Sequence, residues 1–463
     1  MNDLRDKSVL VLGLGETGLS LARYLKQQGA KLRLADSRDA PPNLALLQKE
    51  MPKADIRCGV FRSELLDGIE LLAISPGVPM AEPLVQKALS LRIPVAGDIE
   101  LFAQALPQQD RPKVIAITGA NGKTTVTSMV GAMCRAAGLD TEVAGNISPA
   151  VLDVLVQRKG RQPQVWVLEL SSFQLETTHS LSADVATVLN ISEDHLDRYE
   201  DMAAYIAAKA RIFRCDGSGC TQVLNRDDAE SAKMALSERS RISFGLNPPP
   251  SVLDWGLERE GGETWLVEGS QRAMKMDELQ VSGTHNAANA LAALALCRAV
   301  GIPLAPLTKA LREFRGLPHR VEKVAEFDGV TWFDDSKGTN VGATCAALSG
   351  LGRQSVVILG GDGKGQDFSP LKEAVAQHAR AVVLIGRDAP LIEQAIAGCG
   401  KPVLHASDMD EAVDICAASA ESGDAVLMSP ACASFDMYRS YLHRAEVFIA
   451  AVKKKEAECS ARH

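Results

Sequence analysis

A repeated order of apolar strand, glycine-rich loop and helix runs through the sequence and limits the folds that the chain can adopt. The order begins at residues 9–25, VLVLGLGETGLSLARYL, and returns at residues 114–125, VIAITGANGKTT. A third series starts at residues 330–340, VTWFDDSKGTN. Strands that alternate with helices lie parallel in one sheet, because each helix carries the chain back across it. The sequence therefore predicts an α/β protein with Rossmann-like units.

Two interruptions divide the chain into three predicted domains. At roughly 150 residues per domain, the chain length of 463 residues also suggests three. The first boundary lies in the polar segment PQQDRP at residues 107–112, and the pattern restarts near FRGLPHR at residues 314–320. We predict a Rossmann-like domain over residues 1–108, a central P-loop-type ATPase domain over residues 109–316 and a second Rossmann-like domain over residues 317–463. The central domain is expected to hold a mainly parallel sheet and, after Gly217, a small flanking sheet.

Composition excludes several classes of protein. Apolar residues make up 46% of the chain, but no apolar run approaches the roughly 18 residues that cross a bilayer. The N-terminus lacks the basic start of a secretory signal, so we expect a cytoplasmic protein. Ten scattered cysteines predict neither a disulfide framework nor a zinc site. The net charge of -8 argues against binding to nucleic acid or to an anionic membrane.

The first glycine loop, residues 13–18, matches G-x-G-x-x-G between a strand and a helix. Glycines there let a pyrophosphate approach the unpaired N–H groups of the helix N-terminus. Asp36 ends the next strand and could accept a ribose hydroxyl. The loop predicts that the protein binds a nucleotide diphosphate but does not identify it. An NAD-dependent oxidoreductase is therefore one alternative. Another is that the glycines only allow the chain to turn and bind no ligand.

The second loop is typical of ATP binding. Lys123 can reach the β and γ phosphates, and the Thr124 hydroxyl can hold Mg²⁺. Ile117 stands where a strict P-loop has its first glycine, yet T-G-x-N-G-K-T between a strand and a helix still predicts a phosphate cradle. The residues of this predicted cradle are Gly119, Asn121, Gly122, Lys123, Thr124 and Thr125.

Polar residues follow the next two predicted strands. Glu169 ends one strand, and Asp194 with His195 ends another, so all three are expected near the phosphate loop. Carboxylate oxygen with imidazole nitrogen suits Mg²⁺ or Mn²⁺ beside phosphates. Lys209, in AAYIAAKARIF, is by composition typical of a solvated helix lysine, with Tyr205 on the same face. The segment His285-Asn286-x-x-Asn289 resembles a helix cap.

Together, nine motifs resemble the Mur ligase family along essentially the whole chain. They are ITGANGKTT, LELSSFQLE, NISEDHLDR, AAKARI, GTHNAANALAA, GLPHRVE, DDSKGTN, GGDGKGQDFSP and SPACASFDMY. The resemblance is strongest to members that add D-glutamate to UDP-N-acetylmuramoyl-L-alanine, using ATP and releasing ADP and phosphate. It implies an acyl phosphate and then a tetrahedral intermediate, and we expect a monomer.

The resemblance also implies residue roles. Lys123, His195, Lys209 and Lys337 would be catalytic, and two Mg²⁺ ions would be held by Thr124, Glu169, His195 and Lys209, the last as a carbamylated lysine. The nucleotide contacts beyond the loop would be Asn286, Asn289, Arg320 and Asp335. The UDP-sugar contacts would be Thr17, Asp36, Ser37, Arg38, Gly77 and Asn146. The D-glutamate contacts would be Thr339, Lys337, Lys364, Ser434, Phe435 and Tyr441.

Two residues depart from the family pattern. Glu16 brings a negative charge to the loop that would bind the diphosphate, and Ser148 stands at a position where the family more commonly has glycine. The alternatives within the family are the meso-diaminopimelate- or lysine-adding ligases, whose D-N-P-R motif is not found here, and more distantly folylpolyglutamate synthetase. A non-enzymatic ATP-binding switch is the alternative from another class.

Overall fold

The computed structural model describes residues 3–194, 198–214, 219–281 and 283–460, and it contains three sheets in chain order. His195 lies outside these ranges. Most strands are flanked by helices, and the apolar strand residues pack beneath those helices in the cores. The predicted α/β architecture is confirmed.

The first sheet is parallel, with the strand order β3-β2-β1-β4-β5. Its strands are β1 Ser8–Leu12, β2 Lys31–Asp36, β3 Asp55–Cys58, β4 Leu71–Ile74 and β5 Val95–Ala96. Its helices are α1 Glu16–Gln27, α2 Leu44–Glu50, α3 Pro83–Ser90 and α4 Asp98–Ala105, with a 3₁₀ turn at Ser63–Leu66. The order reverses at β1, where α/β sheets bind ligands. Helix α1 begins at Glu16, inside the glycine loop of residues 13–18.

The second sheet has nine strands in the order β14-β13-β12-β11-β10-β9-β6-β8-β7. The strands are β6 Lys113–Thr118, β7 Thr141–Gly145, β8 Val165–Glu169, β9 Val185–Val188, β10 Thr221–Asn225, β11 Ser240–Phe244, β12 Trp255–Glu260, β13 Glu263–Glu268 and β14 Gln271–Lys275. The helices are α5 Lys123–Ala136, α6 Val151–Arg158, α7 Ser172–Glu176, α8 Met202–Ala210, α9 Ala229–Lys233, α10 Thr284–Ala299 and α11 Leu304–Glu313, with 3₁₀ turns at Arg211–Phe213 and Met276–Glu278.

The expected flanking sheet differs in detail. Strands β10 and β11 continue the parallel sheet, while β12, β13 and β14 form an antiparallel meander. The meander joins β11 through one residue pair, Phe244 with Trp255. Gly261 and Gly262, both with positive φ, make the two-residue turn between β12 and β13. The small sheet is thus an extension of the large one.

The third sheet has the order β15-β16-β20-β17-β18-β19 and is parallel except for the edge strand β15. Its strands are β15 Glu322–Phe327, β16 Val330–Asp334, β17 Ser355–Gly360, β18 Ala379–Ile385, β19 Val403–His405 and β20 Ala425–Met428. Its helices are α12 Val341–Gly350, α13 Leu371–His378, α14 Ala389–Ile396, α15 Met409–Ser419 and α16 Tyr441–Ser460. Within the described ranges, no helix is long and apolar enough to span a bilayer.

Candidate active site

The second glycine loop folds around its own lysine. It connects β6 to α5, and its glycines 119 and 122 have φ angles of 153° and 82°. A Cβ atom on Gly122 would lie 2.6 Å from Asn289 Oδ1, so a larger residue would displace the Asn289 side chain as well as strain the backbone at its positive φ. The Lys123 ammonium donates hydrogen bonds to the carbonyl oxygens of Gly119 and Ala120, each at 2.8 Å. Burial lowers the pKa of Lys123.

Lys209 is buried beside this loop, contrary to the solvated position that composition suggests. Its side chain is 2% exposed, and its Nζ donates to Gly119 O at 2.9 Å. The Tyr205 ring, one turn earlier on α8, lies 4.7 Å from Nζ. Burial first, and the positive charge of Lys123 second, hold the pKa of Lys209 well below its ordinary value. The neutral amine is therefore favoured far more than in a surface lysine.

Glu169 presents an unsatisfied carboxylate oxygen to the same region. Pairing of β8 with β6 and β7 sets Glu169 opposite Ile117 and Gly145. Glu169 is 2% exposed, and its Oε1 accepts from Asn146 Nδ2 at 2.9 Å. Its Oε2 is buried without a hydrogen-bond partner among the described residues. A buried anionic oxygen without a donor is costly, and a divalent cation would satisfy it.

A cavity of about 780 Å³ collects these groups. The residues that line it belong to the central and third domains: Ala120, Asn121, Gly122, Lys123, Thr124, Asn146, Ile147, Ser148, Glu169, Asp194, Leu317, Pro318, His319, Arg320, Lys337, Thr339, Asn340, Lys364, Tyr441 and Leu442. The structure thus brings together the phosphate loop, the predicted metal carboxylates and the third-domain lysines, as the sequence predicts. Four predicted D-glutamate contacts lie on its wall: Lys337, Thr339, Lys364 and Tyr441.

A narrower cavity of about 180 Å³ adjoins the first. The predicted nucleotide contacts Asn286, Asn289 and Asp335 line it, and Arg320 lines both cavities. The helix-cap interpretation of residues 285–289 is wrong, because Gly283 is the N-cap of α10 and no side chain caps the helix. Asn289 Nδ2 instead donates to Asn286 Oδ1 at 3.1 Å.

The central and third domains touch directly at this site. Arg320 Nη2 donates to Thr124 Oγ1 at 2.7 Å, although the residues are 196 positions apart. The side-chain amides of Asn121 and Asn340 bond to each other at 3.1 and 3.2 Å. These contacts place the third domain against the phosphate loop.

The third domain contributes perturbed charges. Asp335 is buried and accepts from Ser429 Oγ at 2.6 Å, and burial raises its pKa to about 7. Burial also lowers the pKa of Lys337 to about 8, and Lys337 Nζ lies 4.0 Å from the centre of the Tyr441 ring. Ser434 is buried and Phe435 is 74% exposed, and neither is among the residues that line the two cavities.

The first glycine loop is organised by Asp36. Its Oδ2 accepts from Leu14 N at 2.7 Å, and its Oδ1 accepts from Arg38 N and Nε at 2.9 and 2.8 Å. Arg38 Nη2 also donates to Oδ2 at 2.7 Å, and Asp36 is 2% exposed. Although burial opposes it, the bonds from Arg38 and Leu14 lower the pKa of Asp36 to about 2. Both oxygens are therefore engaged, which differs from the free ribose acceptor that the sequence suggests.

The other predicted sugar contacts frame the loop. Thr17 lies half-buried in the first turn of α1, and Ser37 and Gly77 are exposed at the carboxyl ends of β2 and β4. Gly18 is needed for packing, because a Cβ there would lie 1.7 Å from Gly13 O.

Arg198 is a residue whose role sequence reasoning missed. It lies in the NISEDHLDR motif, and its Nη2 donates to Pro76 O and Val78 O, both at 3.0 Å. Its guanidinium also stacks 4.2 Å from the centre of the Phe173 ring. Arg198 therefore ties the β4 loop of the first domain to the central domain. No local pattern reveals this, because the acceptors are backbone carbonyls about 120 residues away.

Comparison with known proteins gives a consistent result. Three family models match in order: a Mur ligase MurD-like N-terminal domain at residues 7–97, a Mur ligase middle domain at residues 117–297 and a Mur ligase glutamate ligase domain at residues 319–432. A UDP-N-acetylmuramoylalanine--D-glutamate ligase of Nitrosospira multiformis is 58% identical over 459 residues, covering 98% of this chain and 97% of its own. The protein of the same name from Nitrosomonas europaea is 57% identical over 452 residues, covering 96% of each chain.

Solved structures support the fold. MurF from Acinetobacter baumannii matches with a TM-score of 0.61 at 18% identity, over 97% of this chain and 91% of its own. The UDP-N-acetylmuramate-alanine ligase MurC of Thermotoga maritima matches with a TM-score of 0.58 at 20% identity, over 97% of this chain and 99% of its own.

Proposed function

The chain belongs to the Mur ligase family, and from this we propose that it joins D-glutamate to UDP-N-acetylmuramoyl-L-alanine in peptidoglycan precursor synthesis. ATP is the second substrate, and ADP and phosphate are the other products. The observation that carries the proposal is the 780 Å³ cavity, in which the phosphate loop, the unsatisfied Glu169 carboxylate and Lys337 face one another. The identity to proteins that bear the name of this ligase selects D-glutamate among the amino acids of the family.

The proposed chemistry is acyl phosphate formation followed by amide formation. An oxygen of the sugar substrate's carboxylate attacks the γ phosphorus of ATP, and ADP leaves. The amine of D-glutamate then attacks the acyl carbon, and phosphate leaves from the tetrahedral intermediate. Both steps bring anions together, so Lys123 and Lys337 supply positive charge at the phosphates.

Mg²⁺ would be held by Thr124, Glu169, His195 and Lys209, and it would neutralise the phosphates and polarise the phosphoryl group. The unsatisfied Oε2 of Glu169 fits such an ion. Carbamylation of Lys209 needs its neutral amine, and the lowered pKa of this buried lysine supports that modification. His195 stays a prediction from the resemblance. Mn²⁺ is the alternative ion.

Substrate placement is proposed domain by domain, over residues 1–108, 109–316 and 317–463. The first domain would bind the UDP-sugar through Thr17, Ser37, Arg38 and Gly77, with Asp36 holding Arg38 in place and Asn146 joining from the central domain. The narrower cavity, with Asn286, Asn289 and Asp335, would take the nucleoside of ATP. The third domain would bind D-glutamate through Lys337, Thr339, Lys364, Ser434, Phe435 and Tyr441. We expect a monomer acting in the cytoplasm.

The test is phosphate release from ATP with Mg²⁺ and UDP-N-acetylmuramoyl-L-alanine. D-Glutamate is compared with L-glutamate, L-lysine, meso-diaminopimelate and no amino acid, and product mass is measured. We expect release that depends on D-glutamate and a product heavier by one glutamyl residue. Release with another amino acid would keep the family and overturn the acceptor. No release with any of them would favour a non-enzymatic role, and quenched fluorescence on titration with NADH would revive the oxidoreductase.

A further inference from the structure

His319 forms a hydrogen-bonded pair with a buried carboxylate at the edge of the large cavity. Its Nδ1 lies 2.6 Å from Asp334 Oδ2, and the Asp334 side chain is 0% exposed. Asp334 Oδ1 accepts from Ser336 N at 2.9 Å, which holds the carboxylate in place. An ionised carboxylate only accepts hydrogen bonds, so Nδ1 carries the hydrogen and donates it to Asp334 Oδ2, and neutral His319 has its lone pair on Nε2. This is the arrangement in which a carboxylate orients a histidine base.

The contacts of His319 indicate that its basic nitrogen, Nε2, faces the cavity. His319 lines the 780 Å³ cavity, and Nδ1 is turned inward to Asp334. The part of the chain that the structure describes provides no hydrogen-bond partner for Nε2, and Nε2 is not among the buried unsatisfied atoms. It is therefore accessible from the cavity.

The backbone holds His319 in an uncommon conformation. The φ angles of His319 and Val321 are 62° and 49°, in the left-handed region that disfavours non-glycine residues. His319 N donates to Glu322 Oε2 at 2.9 Å, and His319 O accepts from Lys337 N at 3.2 Å. Strain of this kind persists where surrounding bonds over-determine the geometry, and it concentrates at functional sites.

His319 lies beside the proposed D-glutamate contacts. Its ring centre is 6.3 Å from that of Tyr441, and Lys337 Nζ lies 4.0 Å from the centre of the same Tyr441 ring. The charged groups around it are the carboxylates of Asp334 and Glu322 and the cations of Arg320 and Lys337, with the Tyr441 phenol as a further titratable group. The 2.6 Å distance between Nδ1 and Asp334 Oδ2 is that of a hydrogen-bonded histidine–carboxylate pair. With Glu322, the two residues also form a group of the kind that can bind a metal ion.

We propose that His319 is the base that accepts a proton from the ammonium group of D-glutamate, and that Asp334 is its positioning residue. The proposal rests on the ligase activity proposed above. Nε2 takes one N–H proton, and the freed lone pair of the amine forms the C–N bond to the acyl carbon. When the C–O bond to phosphate breaks, phosphate leaves with that electron pair and takes the second amine proton. His319 then returns its proton to solvent.

A nucleophile that needs no base tests the proposal. Hydroxylamine is uncharged near neutral pH, whereas D-glutamate carries an ammonium group. Wild type and His319→Gln are incubated with ATP, Mg²⁺ and UDP-N-acetylmuramoyl-L-alanine, and either D-glutamate or hydroxylamine is added. Glutamyl product and hydroxamate are measured separately. The matched control is His405→Gln, because His405 pairs with Glu393 at 3.2 Å on the exposed surface of the same domain.

We expect His319→Gln to lower the rate with D-glutamate by about 10²–10⁴-fold, the usual contribution of a general base. Hydroxamate formation stays within a few-fold of wild type, as do both rates in His405→Gln. The rate of His319→Gln with D-glutamate also keeps rising toward alkaline pH, because the free amine becomes more abundant. Asp334→Asn shows an intermediate loss with D-glutamate and a shifted pH profile.

Two outcomes would overturn the proposal. If His319→Gln loses activity equally with D-glutamate and with hydroxylamine, His319 acts before amide formation or in folding. If the rate with D-glutamate is unchanged, His319 takes no part in the mechanism. Failure of the proposed function is seen separately, because wild type then forms no glutamyl product, and the proposal falls with it.

Discussion

The contact between Arg198 and the β4 loop yields a quantitative prediction about sugar-substrate binding. Gly77, a proposed contact of that substrate, lies between the two carbonyls that Arg198 holds. The loop keeps its own turn through Val78 N, which donates to Ser75 O at 2.9 Å. Replacing Arg198 therefore alters where the loop sits against the central domain, and leaves the turn within the loop intact.

The magnitude follows from the bonds that are lost. Arg198→Met removes two charge-assisted bonds at 3.0 Å, each worth about 1.5–3 kcal/mol at most. A third, at 3.4 Å to Gly77 O, is too long to add much. Water reaches the freed carbonyls, because the Arg198 side chain is 12% exposed, so we take about 2–3 kcal/mol as the net loss. At 1.36 kcal/mol per factor of ten, this is roughly 30- to 150-fold.

The assay is steady-state kinetics with each substrate varied in turn. For Arg198→Met, we expect KM for UDP-N-acetylmuramoyl-L-alanine to rise by roughly that factor, with KM for ATP within about twofold of wild type. Arg198→Lys should give a smaller rise, because an ammonium cannot bridge both carbonyls in one plane. Arg57→Met is the matched control, since Arg57 is exposed and pairs only with Asp55 among the ion pairs described. An unchanged KM for the sugar substrate would show that Arg198 does not position the β4 loop for binding.

Three further predictions concern single buried groups. Glu169→Gln keeps a side-chain oxygen that can accept from Asn146 but removes the negative charge. Turnover should fall at least about 100-fold, while the melting temperature is unchanged or higher. Near-wild-type turnover would exclude Glu169 as a metal ligand. Lys209→Ala loses most activity, and short carboxylates restore part of it by supplying the missing oxygens; an active variant that carboxylates do not affect would remove Lys209 from the mechanism. Asp36 has its pKa lowered to about 2, so its ionised form stabilises the fold above pH 4, and this contribution is lost as the pH falls from about 4 to about 2. Asp36→Asn should therefore lower the free energy of unfolding by on the order of 1–2 kcal/mol at neutral pH, with a flatter dependence across that window in urea titrations of the intact protein; equal slopes would contradict this.

Strand prediction succeeded where apolar runs were long. Strands β1, β2, β6 and β8 fall where the sequence predicts them, because each ends in a run of buried residues before a turn. Strands β3 and β5 were missed, since four and two residues are too short to show periodicity. They form because neighbouring strands offer edges for pairing, and that is a tertiary property.

Short stretches of the amino-acid sequence specify the local chemistry of this protein: three series of strand, loop and helix, a phosphate cradle at residues 119–125 and polar residues at strand ends. Each depends on residues close together in the chain, because glycines permit the turn and the helix N-terminus supplies N–H groups. Packing between distant segments accounts for the burial of Lys209, for the two engaged oxygens of Asp36 and for the one unsatisfied oxygen of Glu169. Burial and hydrogen-bond satisfaction are properties of distant neighbours, as when Arg320 reaches Thr124 across 196 residues, and no window of sequence contains them.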